Sequence, residues 1–151
     1  MKQRTNFLSR LFLAALVVCF FFIGGCGKAE QPPIDVGYVN LTIYPNSTEY
    51  IQLNSPGGYL YLYAEPPSRG IIAYRLSSNE FKAYERTPTY KKDSCGIYNR
   101  VIVDESGFFI IDTCTNSKWL IIDGTVYEGP AKYALYPYKT FYDGYTLRIY
   151  N

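Results

Sequence analysis

The 151-residue chain carries four cysteines, seventeen tyrosines, one tryptophan and no histidine, and that inventory decides which chemistry is open to it. Without an imidazole, the side chain that most readily gives and takes protons near neutral pH is missing. Ser94 stands beside Lys91, Lys92 and Asp93, the ingredients of a serine–lysine pair, but three charges in a row read more simply as a solvated loop. No catalytic residue is expected, and the chain is read as a non-enzyme. Asp93, Asp104, Asp112 and Asp123 all fall near loops and could offer oxygen ligands to Ca²⁺. No ligand-loop spacing joins them, and turn aspartates ordinarily accept from their own backbone, so no metal and no cofactor are expected. Cys95 and Cys114 are widely spaced, with no histidine to lower a thiol pKa, which argues against a reactive dithiol.

The residues that precede this body look like an address. Lys2, Arg4 and Arg10 lead into Leu11–Ile23, an apolar run of 13 residues, short of the roughly 20 that a spanning helix needs. It ends in Ile23-Gly24-Gly25-Cys26, which resembles the lipobox of bacterial lipoproteins. That resemblance implies cleavage before Cys26 and lipidation of its sulfur. Several acyl chains, each CH₂ contributing about 0.8 kcal/mol, would make the anchor effectively permanent. Residues 1–25 are therefore read as a signal peptide and 26–33 as a lipidated tether, small, polar and proline-terminated. Gly27 is not the aspartate that holds some lipoproteins at the inner membrane, so a lipid-anchored place in the bacterial envelope, at the outer membrane, is expected. Losing Lys2, Arg4 and Arg10 takes the formal charge from +2 to −1. No basic stripe remains, so nucleic acid is not an expected partner. With Cys19 removed and Cys26 lipidated, Cys95 and Cys114 form an even pair in an exported chain, and a disulfide is the default expectation.

Residues 34–151 have to position these groups, and they read as one all-β domain. Short apolar–polar alternations are cut by turn residues, with no helical period of useful length. The candidate strands are Val39–Tyr44, Glu49–Leu53, Tyr59–Tyr63, Gly70–Leu76, Glu80–Glu85, Asn99–Val103, Phe108–Asp112, Trp119–Ile122, Thr125–Tyr127, Tyr138–Tyr142 and Tyr145–Tyr150. Asp123-Gly124 and Asp143-Gly144 look like tight hairpin turns. The abundant tyrosine suits strand positions where the ring is buried and the hydroxyl stays wet, and a ligand-stacking surface is the sharper alternative. Period and composition leave sandwich and barrel both open.

Three segments carry a further resemblance. They are Phe81–Tyr90 (FKAYERTPTY), Asp112–Trp119 (DTCTNSKW) and Ile121–Leu135 (IIDGTVYEGPAKYAL), followed by a closing strand, Tyr145–Asn151. In order and spacing these resemble the two ligand loops and the proline loop of the Rieske iron–sulfur family. The resemblance implies a small antiparallel sandwich or barrel. It places the first loop's ligands at Pro88 and Tyr90, or at Tyr90 and Lys92 on an ungapped alternative, and the second loop's at Asp112 and Thr115. None is cysteine or histidine. A Rieske cluster takes two thiolates and two imidazoles, so no cluster is expected. The family's second cysteine pair, which ties the two loops, falls on Cys95 and Cys114. The expected function is then a membrane-anchored, non-redox binding or accessory module, meeting a protein or glycan through Tyr90, Tyr98, Trp119 or Tyr133. The alternative is a Rieske-type two-iron two-sulfur electron carrier.

Overall fold

The computed structural model describes residues 32–151. The expected signal peptide, Cys26 and the part of the expected tether before Pro32 lie outside the described residues. Among the described residues no helix is long and apolar enough to cross a membrane. The alternating segments form ten strands: β1 (Asn40–Ile43), β2 (Tyr59–Leu62), β3 (Ile71–Arg75), β4 (Phe81–Glu85), β5 (Ile102–Val103), β6 (Phe109–Asp112), β7 (Ser117–Leu120), β8 (Val126–Glu128), β9 (Pro137–Tyr142) and β10 (Leu147–Tyr150). They make two antiparallel sheets, β1-β10-β9-β4-β3-β2 and β5-β6-β7-β8. The all-β antiparallel expectation holds.

The β3–β4 hairpin is the partition of the molecule. Alternate residues point to opposite faces, so Ile71, Ala73, Phe81 and Ala83 fill one core while Ile72, Tyr74 and Tyr84 fill another. That is why β3 is buried along its whole length, against the one-sided burial usual in antiparallel sheets. The second core is closed by the small sheet, through Ile110 and Trp119, and by Ile121 and Leu135 from the loops beyond it. The candidate loops therefore sit on a packed floor.

Two expectations are corrected. Glu49–Leu53 is not a strand: Thr48–Leu53 is a 3₁₀ helix, with Tyr50 N donating to Ser47 O at 3.2 Å and Asn54 N to Ile51 O at 3.2 Å. Its alternation is not two-faced, since Leu53 is buried but Ile51 is exposed. Gly58 lets this turn fold back on β2, because any Cβ there would collide with the Gln52 carbonyl. The second correction is Asp123-Gly124, which is not a two-residue hairpin, since β7 ends at Leu120 and β8 starts at Val126. The chain leaves the sheet early to bury Ile121 completely. Gly124 (φ 73°) then lies on the Tyr84 ring, where an added Cβ would stand 2.7 Å from Cε1. Only glycine takes that conformation and that contact together.

Candidate functional site

Three loops meet at one end of the small sheet: residues 86–101 after β4, 113–116 between β6 and β7, and 129–136 between β8 and β9. The first and second are joined by the predicted disulfide Cys95–Cys114, with Cα atoms 6.0 Å apart. Asn99 Nδ2 adds a second tie, donating to Asp112 Oδ1 at 3.0 Å. The third loop is drawn in by the Tyr133 carbonyl, which accepts from Thr89 Oγ1 at 2.9 Å and Trp119 Nε1 at 3.0 Å. Arg69 holds the first loop from behind. Its Nη1 donates to Lys92 O at 2.7 Å and Asn99 O at 2.8 Å, and its Nη2 pairs with Asp93.

Of the four positions that the resemblance assigns to ligands, Asp112 is wholly buried at the end of β6. Its Oδ1 accepts from Asn99 Nδ2 and, at 3.1 Å, from Cys114 N, while Oδ2 accepts from Thr115 Oγ1 at 2.6 Å. Thr115 Oγ1 also lies 3.0 Å from Ser117 Oγ. These two positions do come together, but as partners of each other. Pro88 is buried. Tyr90 packs against the second core, with Lys91 Nζ 5.5 Å from its ring centroid, and Lys92 is exposed. An iron–sulfur cluster does not fit this donor set. Both carboxylate oxygens are engaged, and hydroxyls and a hard carboxylate replace soft thiolates and imidazoles.

The predicted aromatic surface divides. Tyr98 is 80% exposed, and its neighbour Ile97 is 64% exposed. Tyr90 and Tyr133 are half-buried. Trp119 has to be withdrawn from the surface reading, since it is 0% exposed and its indole N–H is spent on Tyr133 O. A β7 position facing β3 and β4 is core, whatever its aromatic character. The turn aspartates behave locally. Asp104 accepts from Ser106 Oγ and Phe109 N, and Asp123 from Thr125 N and Oγ1. Among the described residues no three His, Cys, Asp or Glu side chains gather as a metal site.

One charged group escaped sequence reasoning. Glu85 is 0% exposed and accepts from five donors: Ser68 Oγ (2.6 Å), Arg69 N (2.7 Å), Thr87 N (3.0 Å), Thr87 Oγ1 (2.7 Å) and Tyr138 OH (2.6 Å). The signal was available, because Phe81, Ala83 and Glu85 share one face of β4 and a charge on that apolar face needs partners. Burial, and then the bond to Glu85, push the Tyr138 hydroxyl far above its ordinary value, so it stays a neutral donor. Chemically this cluster is saturated and serves to brace the loop base.

No family model and no curated protein matches the chain. Several solved structures are similar to it. One is a cyanobacterial plasma membrane Rieske protein from Synechocystis PCC 6803, with 18% identity and a TM-score of 0.48, covering 60% of this chain and 84% of that one. Another is a proposed NADH-dependent nitrite reductase small subunit from Mycobacterium tuberculosis, with 13% identity and a TM-score of 0.45, covering 78% of this chain and 97% of that one.

Proposed function

We propose that the chain is a lipid-anchored bacterial envelope protein whose Rieske-like domain has exchanged cluster binding for a non-redox binding or accessory role. The observation that carries this is Asp112. At a position where the resemblance calls for a soft ligand, a buried carboxylate is bonded by Asn99, Cys114 and Thr115, which turns the loop pair into a closed polar knot. The disulfide and the Arg69 clamp hold that knot rigid, and the first loop projects Ile97 and Tyr98 beyond it. A rigid, exposed aromatic beside an aliphatic residue suits a protein or glycan partner, because little conformational freedom is lost on contact.

The test uses the full chain in its membrane. Changing Cys26 to Ser is expected to release it from the membrane fraction, and persistence there would place the anchor elsewhere. Cross-linking from a photoreactive group at position 98 is expected to trap one partner reproducibly. It should not do so from a comparably exposed site at the far end of the six-stranded sheet, such as Tyr145 (72% exposed) in the β9–β10 turn. Equal trapping from both sites would remove the loop tip as the binding surface.

A further inference from the structure

A small pocket of about 270 Å³ lies beside the loop base, where β2 runs toward β3 and the first loop begins. It is formed by the β2–β3 connection and the two ends of the first loop, and uses none of the expected ligand positions. Its walls include Tyr61, Tyr63, Gly70 and three arginines, Arg69, Arg86 and Arg100, which are far apart in sequence and form no local motif. Arg69 is already spoken for by Asp93 and two carbonyls. Arg86 and Arg100 are not: among the described residues neither has a carboxylate within 4.0 Å.

Arg86 is set rather than free. Its Nε donates to Val101 O at 3.1 Å, and its guanidinium lies 4.0 Å from the Tyr61 ring centroid. That ring is fixed in turn, because the Tyr61 hydroxyl accepts from Val103 N at 2.9 Å. Gly70 passes close beneath the Arg86 stem, an added Cβ there standing 3.5 Å from Cδ. This leaves the two Nη nitrogens as an oriented fork with no protein partner among the described residues. Burial first, and repulsion from Arg100 to a smaller extent, hold the Arg86 guanidinium below the ordinary arginine range, against opposing contributions from Tyr61 and Glu85. No ion pair among the described residues offsets the repulsion between the two cations. Glu85 attracts Arg86 from a distance, but no nearby carboxylate pairs directly with either arginine. Glu85 is consumed by its five donors, and Glu65 is bonded to the Tyr63 hydroxyl.

We infer that this pocket binds a phosphate monoester, its dianion bridged by the forks of Arg86 and Arg100 and its organic group lying along Tyr63. A planar guanidinium fork matches phosphate oxygens two at a time, and a phosphate monoester carries close to two charges at neutral pH. That satisfies both unpaired cations. The ester could belong to a small soluble molecule or to a lipid headgroup, and the chemistry of recognition is the same.

Calorimetric titration of the full chain in detergent with phenyl phosphate and with inorganic phosphate tests the site. Saturable binding of phenyl phosphate, tighter than inorganic phosphate, is expected. Arg86→Lys, which keeps the charge and loses the fork, and Arg100→Gln, at an exposed position, should each weaken it by about tenfold. Lys139→Gln, on the exposed face of β9, should leave it unchanged. Absence of saturation, or an equal loss with Lys139→Gln, overturns the site in favour of diffuse electrostatics. The Cys26→Ser chain then separates the sources. Sedimentation with phosphatidic acid vesicles but not phosphatidylcholine vesicles, lost in Arg100→Gln, assigns a lipid headgroup. Binding of phenyl phosphate without vesicle binding assigns a soluble ester.

Discussion

Two carboxylates are buried to the same degree in this molecule, and they are held in different ways. Asp112 accepts from Asn99, Cys114 and Thr115, two of which lie within three residues of it. Glu85 accepts from Ser68, Arg69, Thr87 and Tyr138, drawing on the β2–β3 turn, the first loop and β9. The first is a local knot on a loop that a disulfide already restrains. The second joins three separate parts of the chain through one side chain. The difference teaches where stability and where function can change independently. A knot built from neighbours can be rewritten with little consequence for the fold, whereas a junction cannot.

Mutations at the two sites should separate accordingly. Glu85→Ala strands five donors around a buried gap and should cost about 4 kcal/mol or prevent folding, read by urea denaturation. Replacing both Cys95 and Cys114 with Ser should cost about 3 kcal/mol through the unfolded state. It should loosen hydrogen exchange in residues 91–99 while β3 and β4 stay protected. Asp112→Ala should cost about 2 kcal/mol, and more in the chain lacking the disulfide, because the two restraints share one loop pair. A loss as large as that of Glu85→Ala would break the contrast between knot and junction. Tyr98→Ser, on the exposed tip, should change stability by less than about 0.5 kcal/mol.

Alkaline unfolding sharpens the same contrast. Tyr138 has its hydroxyl pushed up by burial and by Glu85, so the folded state holds its proton more tightly than the unfolded state does. The stability this contributes is complete below the unfolded tyrosine value of about 10 and declines as pH rises above it. Tyr138→Phe should be less stable at neutral pH, having lost a bond to Glu85, and should show a shallower alkaline decline. An unchanged slope would mean that this junction does not govern the alkaline limb. Tyr84, also raised by burial, adds to that limb and remains in the variant.

Much of this architecture was legible in the chain. Ten of the alternating segments became strands, because alternation and turn chemistry agree there. Glu49–Leu53 misled, since Ile51 points to solvent and nothing pairs with the segment. Asp123-Gly124 misled because the burial of Ile121 and the contact with Tyr84 outweighed local turn preference. At the site, the Cys95–Cys114 pairing could be read from the even cysteine count and the resemblance, and the position of Asp112 from the resemblance. The partners of Asp112 could not, since Asn99 reaches it from another loop. Trp119 looked like a surface aromatic only because the face of β7 was unknown. Arg69, Arg86 and Arg100 were invisible as a group, being assembled by strand pairing and not by sequence proximity.

The central claim is that the loop pair holds a bonded carboxylate in place of an iron–sulfur cluster. Iron analysis and visible absorption of the full chain, purified with its disulfide intact from cells that assemble such clusters, test it most directly. The account predicts iron at background and no visible band. About two irons per chain, with an absorption that bleaches on reduction and returns on oxidation, would contradict it.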